Sequence, residues 1–171
     1  MDDCVDLGNP TSLRITGSLT ISAWVKADAF PNGDDNYIVT KSNSETPSIA
    51  YKFTATIDNG VEQFYISVTT DGVVTSRRYT ATTITSGVWY HVVGVYNAMV
   101  QTLDIYLNGK KDNGTLGGAA VPSSIYDSSA SVLIGAFPDP LRYFAGIIDD
   151  VRIYNPLCPP PRSAGCTSAM M

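Results

Sequence analysis

Residue types that serve metal and redox chemistry are scarce in this chain of 171 residues, which has only three Cys and one His. An odd number of Cys without a CxxC pair does not form a disulfide framework. A single His, His91, leaves a zinc site or a Cys–His nucleophile with almost no ligands. We therefore expect neither zinc chemistry nor thiol catalysis.

Positive charge and long apolar runs are scarce too. Lys and Arg number 11 against 16 Asp and Glu, a formal net charge of −5. This balance argues against non-specific binding of nucleic acid or of an anionic membrane surface. No apolar run approaches the ~18 residues of a membrane span. The first ten residues are acidic and polar, so the chain as written predicts no signal peptide.

The sequence also lacks sustained helical periodicity, and instead alternates apolar with polar residues between turn residues. Asp58-Asn59-Gly60 and Asp71-Gly72 are strong hairpin turns. Residues 110–130 resemble a long loop with at most one short strand. We predict strands over 19–26, 37–41, 49–57, 64–69, 73–81, 89–96, 103–109, 131–136 and 144–155. This many hairpin-spaced strands predict an all-β chain, a two-sheet antiparallel β-sandwich or jelly roll.

Three stretches, in order and spacing, carry a family resemblance: residues 2–27, 86–110 and 131–155. Together they resemble the laminin G-like jelly-roll domains of the concanavalin A-like lectin/glucanase superfamily. The resemblance implies two curved antiparallel sheets packed face to face, and an extracellular location. It covers a domain of residues 1–155, although the strand that usually precedes the first stretch is missing.

The last sixteen residues, 156–171, depart from the family and form a separate tail, PLCPPPRSAGCTSAMM. One choice of codons for PPPRSAGCT, shifted by one frame, reads AAEISGLY, which resembles the usual family ending. We therefore hypothesise a frameshifted tail, which the coding DNA tests. A truncated or frameshifted fragment of a larger secreted protein, with no independent role, is one of the functional hypotheses.

Catalysis has little support. Glycosidases of the superfamily resemble one another in an ExDxxE strand, whereas Glu45 and Glu62 are far apart. A retaining pair needs two carboxyl groups ~5–5.5 Å apart, and on a regular strand the adjacent Asp149 and Asp150 point to opposite faces. We predict that the chain is not an enzyme. We expect His91 to be a structural strand residue.

The resemblance implies a structural calcium ion. In calcium-binding relatives an Asp at the start of the last long strand binds the ion, and Asp149 matches that position. Asp3 and the loop that contains Gly33, Asp34 and Asp35 supply further candidate oxygens. The alternative is that Asp149 accepts hydrogen bonds from backbone amides or from Arg152.

The leading functional prediction is a non-catalytic, lectin-like module that binds carbohydrate. The amphipathic Tyr side chains are the candidate ligand contacts. Tyr65, Tyr96 and Tyr106 are expected opposite the apolar stripes, whereas the others are expected near one rim: Tyr37, Tyr51, Arg142 and Tyr143. Trp24 and Trp89 are expected to be structural anchors in the interior.

A protein-interaction or adhesion module, using a flat apolar patch on an extracellular protein, is the alternative function. For any one of the candidate residues, burial in the core or ordinary surface exposure is the competing interpretation. Pairing of bare sheet edges into an oligomer is compatible with either function.

Overall fold

The computed structural model describes residues 3–30, 35–43, 45, 47–138 and 143–155, and these form two antiparallel sheets. One 3₁₀ turn, Thr11–Leu13, is the helical element of this part of the chain. The strands are β1 Val5–Asp6, β2 Leu19–Ala27, β3 Asn36–Lys41, β4 Tyr51–Asp58, β5 Val61–Thr69, β6 Thr75–Thr80, β7 Tyr90–Asn97, β8 Thr102–Leu107, β9 Lys110–Lys111, β10 Asn113–Gly118, β11 Val132–Ile134 and β12 Gly146–Tyr154.

The seven-stranded sheet has the order β1-β11-β3-β4-β5-β6-β10, and the five-stranded sheet the order β12-β2-β7-β8-β9. Both sheets mix hairpin neighbours with strands distant in sequence, as in a jelly roll. The predicted all-β sandwich is confirmed. Across the described ranges, no helix is long and apolar enough to cross a membrane.

Most strands lie where alternation predicts them, and the turn chemistry agrees. Asn59 and Gly60 have φ values of 49° and 80°, as expected for the hairpin that joins β4 to β5. Residues 110–130 contain two strands, β9 and β10, where at most one was expected. The Gly-rich sequence of β10 has no alternating apolar pattern, so periodicity does not detect it.

The core lies between the two sheets, which come very close at Gly94 on β7. A Cβ atom at this position would lie 2.5 Å from Cδ1 of Ile66 on β5. Ile66 is fully buried, and its neighbours Tyr65 and Ser67 point to the opposite face of the sheet. Because Gly94 has no side chain, β5 can pack this close to β7. The contact fixes the position of β5 on its core side.

Candidate functional site

An aromatic row crosses the outer face of the seven-stranded sheet. The strand register pairs Tyr37 with Thr54, Thr54 with Tyr65, and Tyr65 with Tyr79. The ring centroids of Tyr65 and Tyr79 are 5.3 Å apart, and Tyr37 stacks on Phe137 at 4.9 Å. We call Tyr37, Thr54, Tyr65 and Tyr79 the aromatic row.

A second line of residues, parallel to the aromatic row, carries two positive charges. The register pairs Thr40 with Lys52, Lys52 with Ser67, and Ser67 with Arg77. We call these four residues the cation row. Since residues two apart share a face, Ser67 lies on the same side of β5 as Tyr65. The two rows together form one polar and aromatic face on the side of the sheet away from the core. Six of its eight residues are nearly closed to solvent, whereas Lys52 is half-buried and Arg77 is exposed.

Ring contacts join the two rows. Lys52 Nζ lies 4.9 Å from the Phe137 ring centroid, and Arg77 Cζ lies 5.9 Å from that of Tyr65. Cation–π contacts of this kind contribute about 0.5–1 kcal/mol when exposed. Arg77 Nε also donates a hydrogen bond to Thr75 Oγ1 at 2.8 Å. Both cations are therefore oriented along the face.

Unpartnered hydroxyl groups concentrate on this surface. In the described part of the chain, four buried side-chain oxygen atoms have no hydrogen-bond partner, and three of them belong to Thr40, Thr54 and Ser67. The fourth, on Thr20, is in the other sheet. A buried polar group without a partner costs about 1–3 kcal/mol. Sites where several occur together are typical places for water or a ligand to supply the missing bonds.

Asp35 supports one end of the aromatic row. The Tyr65 hydroxyl donates a hydrogen bond to Asp35 Oδ2 at 2.6 Å. Burial of the phenol, followed by the Asp35 charge, raises the pKa of Tyr65 well above its ordinary value, so the hydroxyl stays protonated at neutral pH. The contact ties the residue that precedes β3 to the middle of the sheet.

The structure places Asp149 at an irregularity. The register between β12 and β2 shifts between Asp149 and Arg152, and Asp150 has a φ of 48°. The expectation of a regular strand here is therefore wrong, because a bulge turns both carboxylates into solvent. Asp149 Oδ1 accepts the backbone N–H of Asp150 at 2.7 Å, the backbone-amide alternative stated above, and Arg152 pairs with Asp150.

The calcium site stays a prediction. Across the residues that the structure describes, no group of three or more His, Cys, Asp or Glu side chains lies together as metal ligands would. Asp3 is exposed just before β1, Asp35 accepts the Tyr65 hydroxyl, and Gly33 lies outside the described residues. Any ion at Asp149 would need carbonyl and water oxygens for most of its shell.

Two of the predicted ligand contacts are core residues. Tyr51 and Tyr96 are both completely buried, and their hydroxyls donate to the carbonyl oxygens of Leu13 and Pro122. The expectation that Tyr96 faces away from the apolar stripe is wrong. Val93 and Val95 make the outer side of β7 apolar, whereas Gly94 on the core side carries no side chain, so the sequence does not distinguish the two faces.

The other candidates are dispersed. Tyr37 and Tyr65 are both in the aromatic row, whereas Tyr106 is half-buried on β8 of the five-stranded sheet. Tyr143 forms an isolated bridge with Ala136, and Arg142 lies outside the described residues. The structure thus brings together two of the seven predicted contacts.

Sequence reasoning did not select the cations Lys52 and Arg77, the rings of Tyr79 and Phe137, or the three hydroxyl residues of this face. For Arg77 and Tyr79 a usable pattern exists, because β6 follows β5 directly and alternation places both on the face that carries Tyr65. Phe137 follows β11 in a loop, where periodicity gives no orientation.

The expectation that both Trp are interior anchors is also wrong. Trp24 and Trp89 are 42% and 41% exposed. Trp24 lies between the core residues Ala23 and Val25 and so points outward from the five-stranded sheet, against His91 at 5.2 Å. We call Trp24, Trp89 and His91, with the exposed Ile147 on β12, the tryptophan face.

Comparisons with known proteins agree with this architecture. Residues 2–159 match the family model of a laminin G-type group in the concanavalin A-like lectin/glucanases superfamily. Adhesion G-protein coupled receptor V1 of Danio rerio is 26% identical over 144 residues, which are 83% of this chain and 2% of the receptor. The chain thus spans a very small part of that relative.

Solved structures show the same fold at low identity. A putative carbohydrate binding protein from Bacteroides ovatus is 18% identical, with a TM-score of 0.66 over 91% of this chain and 42% of its own. The CBM40 of Ruminococcus gnavus IT-sialidase, bound to α2,3 sialyllactose, is 11% identical, with a TM-score of 0.59 over 88% and 87%. A pentraxin from Limulus polyphemus is 14% identical, with a TM-score of 0.60 over 91% and 76%.

Proposed function

Because this chain belongs to the concanavalin A-like lectin/glucanases superfamily, we propose that it is a non-catalytic carbohydrate-binding module. The sugar binds on the outer face of the seven-stranded sheet, across the aromatic row and the cation row. Since fold does not determine function, the proposal depends on the chemistry of this face.

The observation that carries the proposal is the aromatic and cationic group at the open side of this face, Phe137, Lys52 and Arg77. A sugar presents both apolar C–H faces and many hydroxyl groups. The Phe137 ring complements the first, and the N–H groups of Lys52 and Arg77 are donors for the second. A few convergent polar groups beside aromatic walls are typical of ligand sites.

The contacts of three carboxylates support binding rather than hydrolysis. Asp35 is engaged by the Tyr65 hydroxyl, and Asp149 and Asp150 lie on the other sheet with partners of their own. A glycosidase needs one carboxyl group kept protonated and a second one ionised beside the scissile bond. The contacts of these three carboxylates do not favour that arrangement.

The tryptophan face favours a second candidate, an adhesion module that binds an extracellular protein. Exposed Trp side chains are frequent hot spots of protein interfaces. The relative among adhesion receptors is compatible with this candidate.

A glycan array probed with three proteins tests the proposal: the wild type, Phe137→Ala on the seven-stranded side, and Trp24→Ala as an aromatic control on the other sheet. We expect Phe137→Ala to weaken glycan binding and Trp24→Ala to retain it. Binding lost only with Trp24→Ala would move the site to the tryptophan face. A folded wild type that binds no glycan would refute the proposal and favour the adhesion module.

A further inference from the structure

We propose that one end of the sandwich docks on a neutral lipid bilayer through four apolar residues of two hairpin turns. Val73 and Val74 belong to the turn between β5 and β6, and Met99 and Val100 to the turn between β7 and β8. We call these four residues the apolar rim. The proposal goes beyond carbohydrate binding, because the rim contains no residue of the aromatic row or of the cation row.

The rim residues are exposed apolar side chains. Met99 is 91% exposed and Val100 61%, whereas Val73 and Val74 are 49% and 55% exposed. They are four of the ten large hydrophobic residues that are exposed in the described part of the chain. Single exposed apolar residues are normal on a protein surface, but a group of them at one place is typical of an interaction site.

One segment holds the two turns side by side. Residues 119–124 follow β10 and contact both turns. On one side, the Ala119 N–H donates to the carbonyl oxygen of Thr75 at 3.0 Å. On the other side, Gln101 Nε2 donates to the carbonyl oxygen of Val121 at 2.9 Å. The two turns therefore project from the same end of the sandwich, and both can contact one surface.

The backbone N–H groups of the rim are already satisfied within the protein. Asn97 Oδ1 accepts those of Met99 and Val100 at 3.0 and 3.3 Å. Asp71 Oδ1 accepts those of the two valines in the other turn at 2.9 and 2.8 Å. Hydrocarbon offers no hydrogen-bond partners, so a segment that enters a bilayer must satisfy its backbone groups internally. All four N–H groups of the rim meet this condition.

Charge selects a neutral bilayer over an anionic one. The segments 70–74, 97–101 and 119–124 contain one charged residue, Asp71, and no Lys or Arg. Binding to anionic lipids depends on basic residues near the membrane surface. The net charge of −5 opposes it further. A surface without net charge, such as phosphatidylcholine, therefore fits this end of the sandwich.

The composition of this end also differs from that of a protein-docking surface. Hot spots of protein interfaces are enriched in Trp, Tyr and Arg. The same three segments contain none of these residue types, and their apolar residues are aliphatic. The rim thus has the side chains that hydrocarbon accepts and lacks those that typically anchor a protein partner.

Cosedimentation with vesicles tests the proposal, using phosphatidylcholine alone and phosphatidylcholine mixed with phosphatidylserine. The rim side chains together have about as many heavy atoms as one myristoyl chain, which binds membranes reversibly with a constant of about 10⁴ M⁻¹. We expect reversible binding to pure phosphatidylcholine at lipid concentrations up to several millimolar. Phosphatidylserine should not strengthen it, and high salt should not weaken it, because salt screens charges and not apolar contacts.

Matched substitutions locate the contact. Met99→Ser should weaken vesicle binding about tenfold or more, and Val74→Ser about fourfold or more, since burial of one methylene is worth a factor of about four. Val5→Ser is the control, because Val5 is 54% exposed, close to the 55% of Val74. Val5 lies on β1, at the edge of the seven-stranded sheet away from β5 and β6. The control should bind vesicles as the wild type does.

The outcomes decide the proposal without involving the sugar site. Binding that Met99→Ser weakens and Val5→Ser retains supports docking through the rim. No binding to phosphatidylcholine at several millimolar lipid, binding that survives Met99→Ser, or binding that requires phosphatidylserine overturns it. The glycan array measures a different face, so Met99→Ser should bind glycans as the wild type does whichever result the vesicles give.

Discussion

Replacing Gly94 by alanine tests how the core positions the outer face of the seven-stranded sheet. The added Cβ would lie 2.5 Å from Ile66 Cδ1 and 2.9 Å from Ile66 Cβ. Ordinary van der Waals contact begins near 3.5 Å, so β7 and β5 must separate by several tenths of an ångström. Tyr65 and Ser67, on either side of Ile66, would move with β5.

The cost follows from overpacking a dense core, about 1–3 kcal/mol. For a domain of this size, each kcal/mol lowers Tm by about 2–4 °C, so we expect a decrease of about 2–12 °C. Ile66→Val removes Cδ1, the closest atom, and should restore part of the stability lost by Gly94→Ala. The double-mutant cycle should therefore show a favourable coupling of at least about 0.5 kcal/mol.

Urea unfolding of the four variants measures these values, with Gly17→Ala as the matched control. At Gly17 an added Cβ meets no atom within 4 Å, and the backbone does not require a positive φ. That variant should be as stable as the wild type or slightly more stable. If Gly94→Ala is equally harmless, or if Ile66→Val brings no recovery, the described packing of the sheets is wrong.

Three further predictions concern single contacts. Tyr65→Phe should lower the free energy of unfolding in urea by about 1.5–3 kcal/mol, because the Asp35 carboxylate loses its hydroxyl donor. Tyr106→Phe is the control. Equal stability of the two variants would contradict the contact. The N–H groups of Val73 and Val74 lower the pKa of Asp71, so its contribution to stability is complete above about pH 4 and is lost as pH falls further. Asp71→Asn should therefore show a smaller loss of stability between pH 5 and pH 3 than the wild type. For calcium, we expect Tm to be higher with Ca²⁺ than with EDTA and Asp149→Ala to abolish that difference; identical melts of the wild type would argue against the site.

How far the sequence alone predicts this molecule depends on the feature. The strands and the Asn59-Gly60 hairpin follow from alternation and turn chemistry, since one buried face fixes which residues are apolar. The family resemblance is confirmed over residues 2–159. Alternation does not predict β10, whose residues show no apolar–polar contrast. It also does not predict the bulge after Asp149.

The candidate site was less predictable, because a site on a sheet face depends on which strands become neighbours. Alternation selected Tyr65, but it does not give the register that places Lys52 in line with Thr40, because that register shifts between Tyr37 and Val39. The prediction that Trp24 and Trp89 are interior anchors failed for a related reason. A large ring favours burial, yet Trp24 occupies an outward position between Ala23 and Val25.

The central claim is that sugar binds the outer face of the seven-stranded sheet, and chemical-shift mapping tests it most directly. The ¹⁵N-labelled chain would be titrated with the glycan that binds best on the array. We predict that the largest shifts occur at the amides of Thr40, Thr54, Ser67 and Arg77, with little change at Trp24 and His91. Shifts concentrated at the tryptophan face, or none at saturating glycan, would contradict the account.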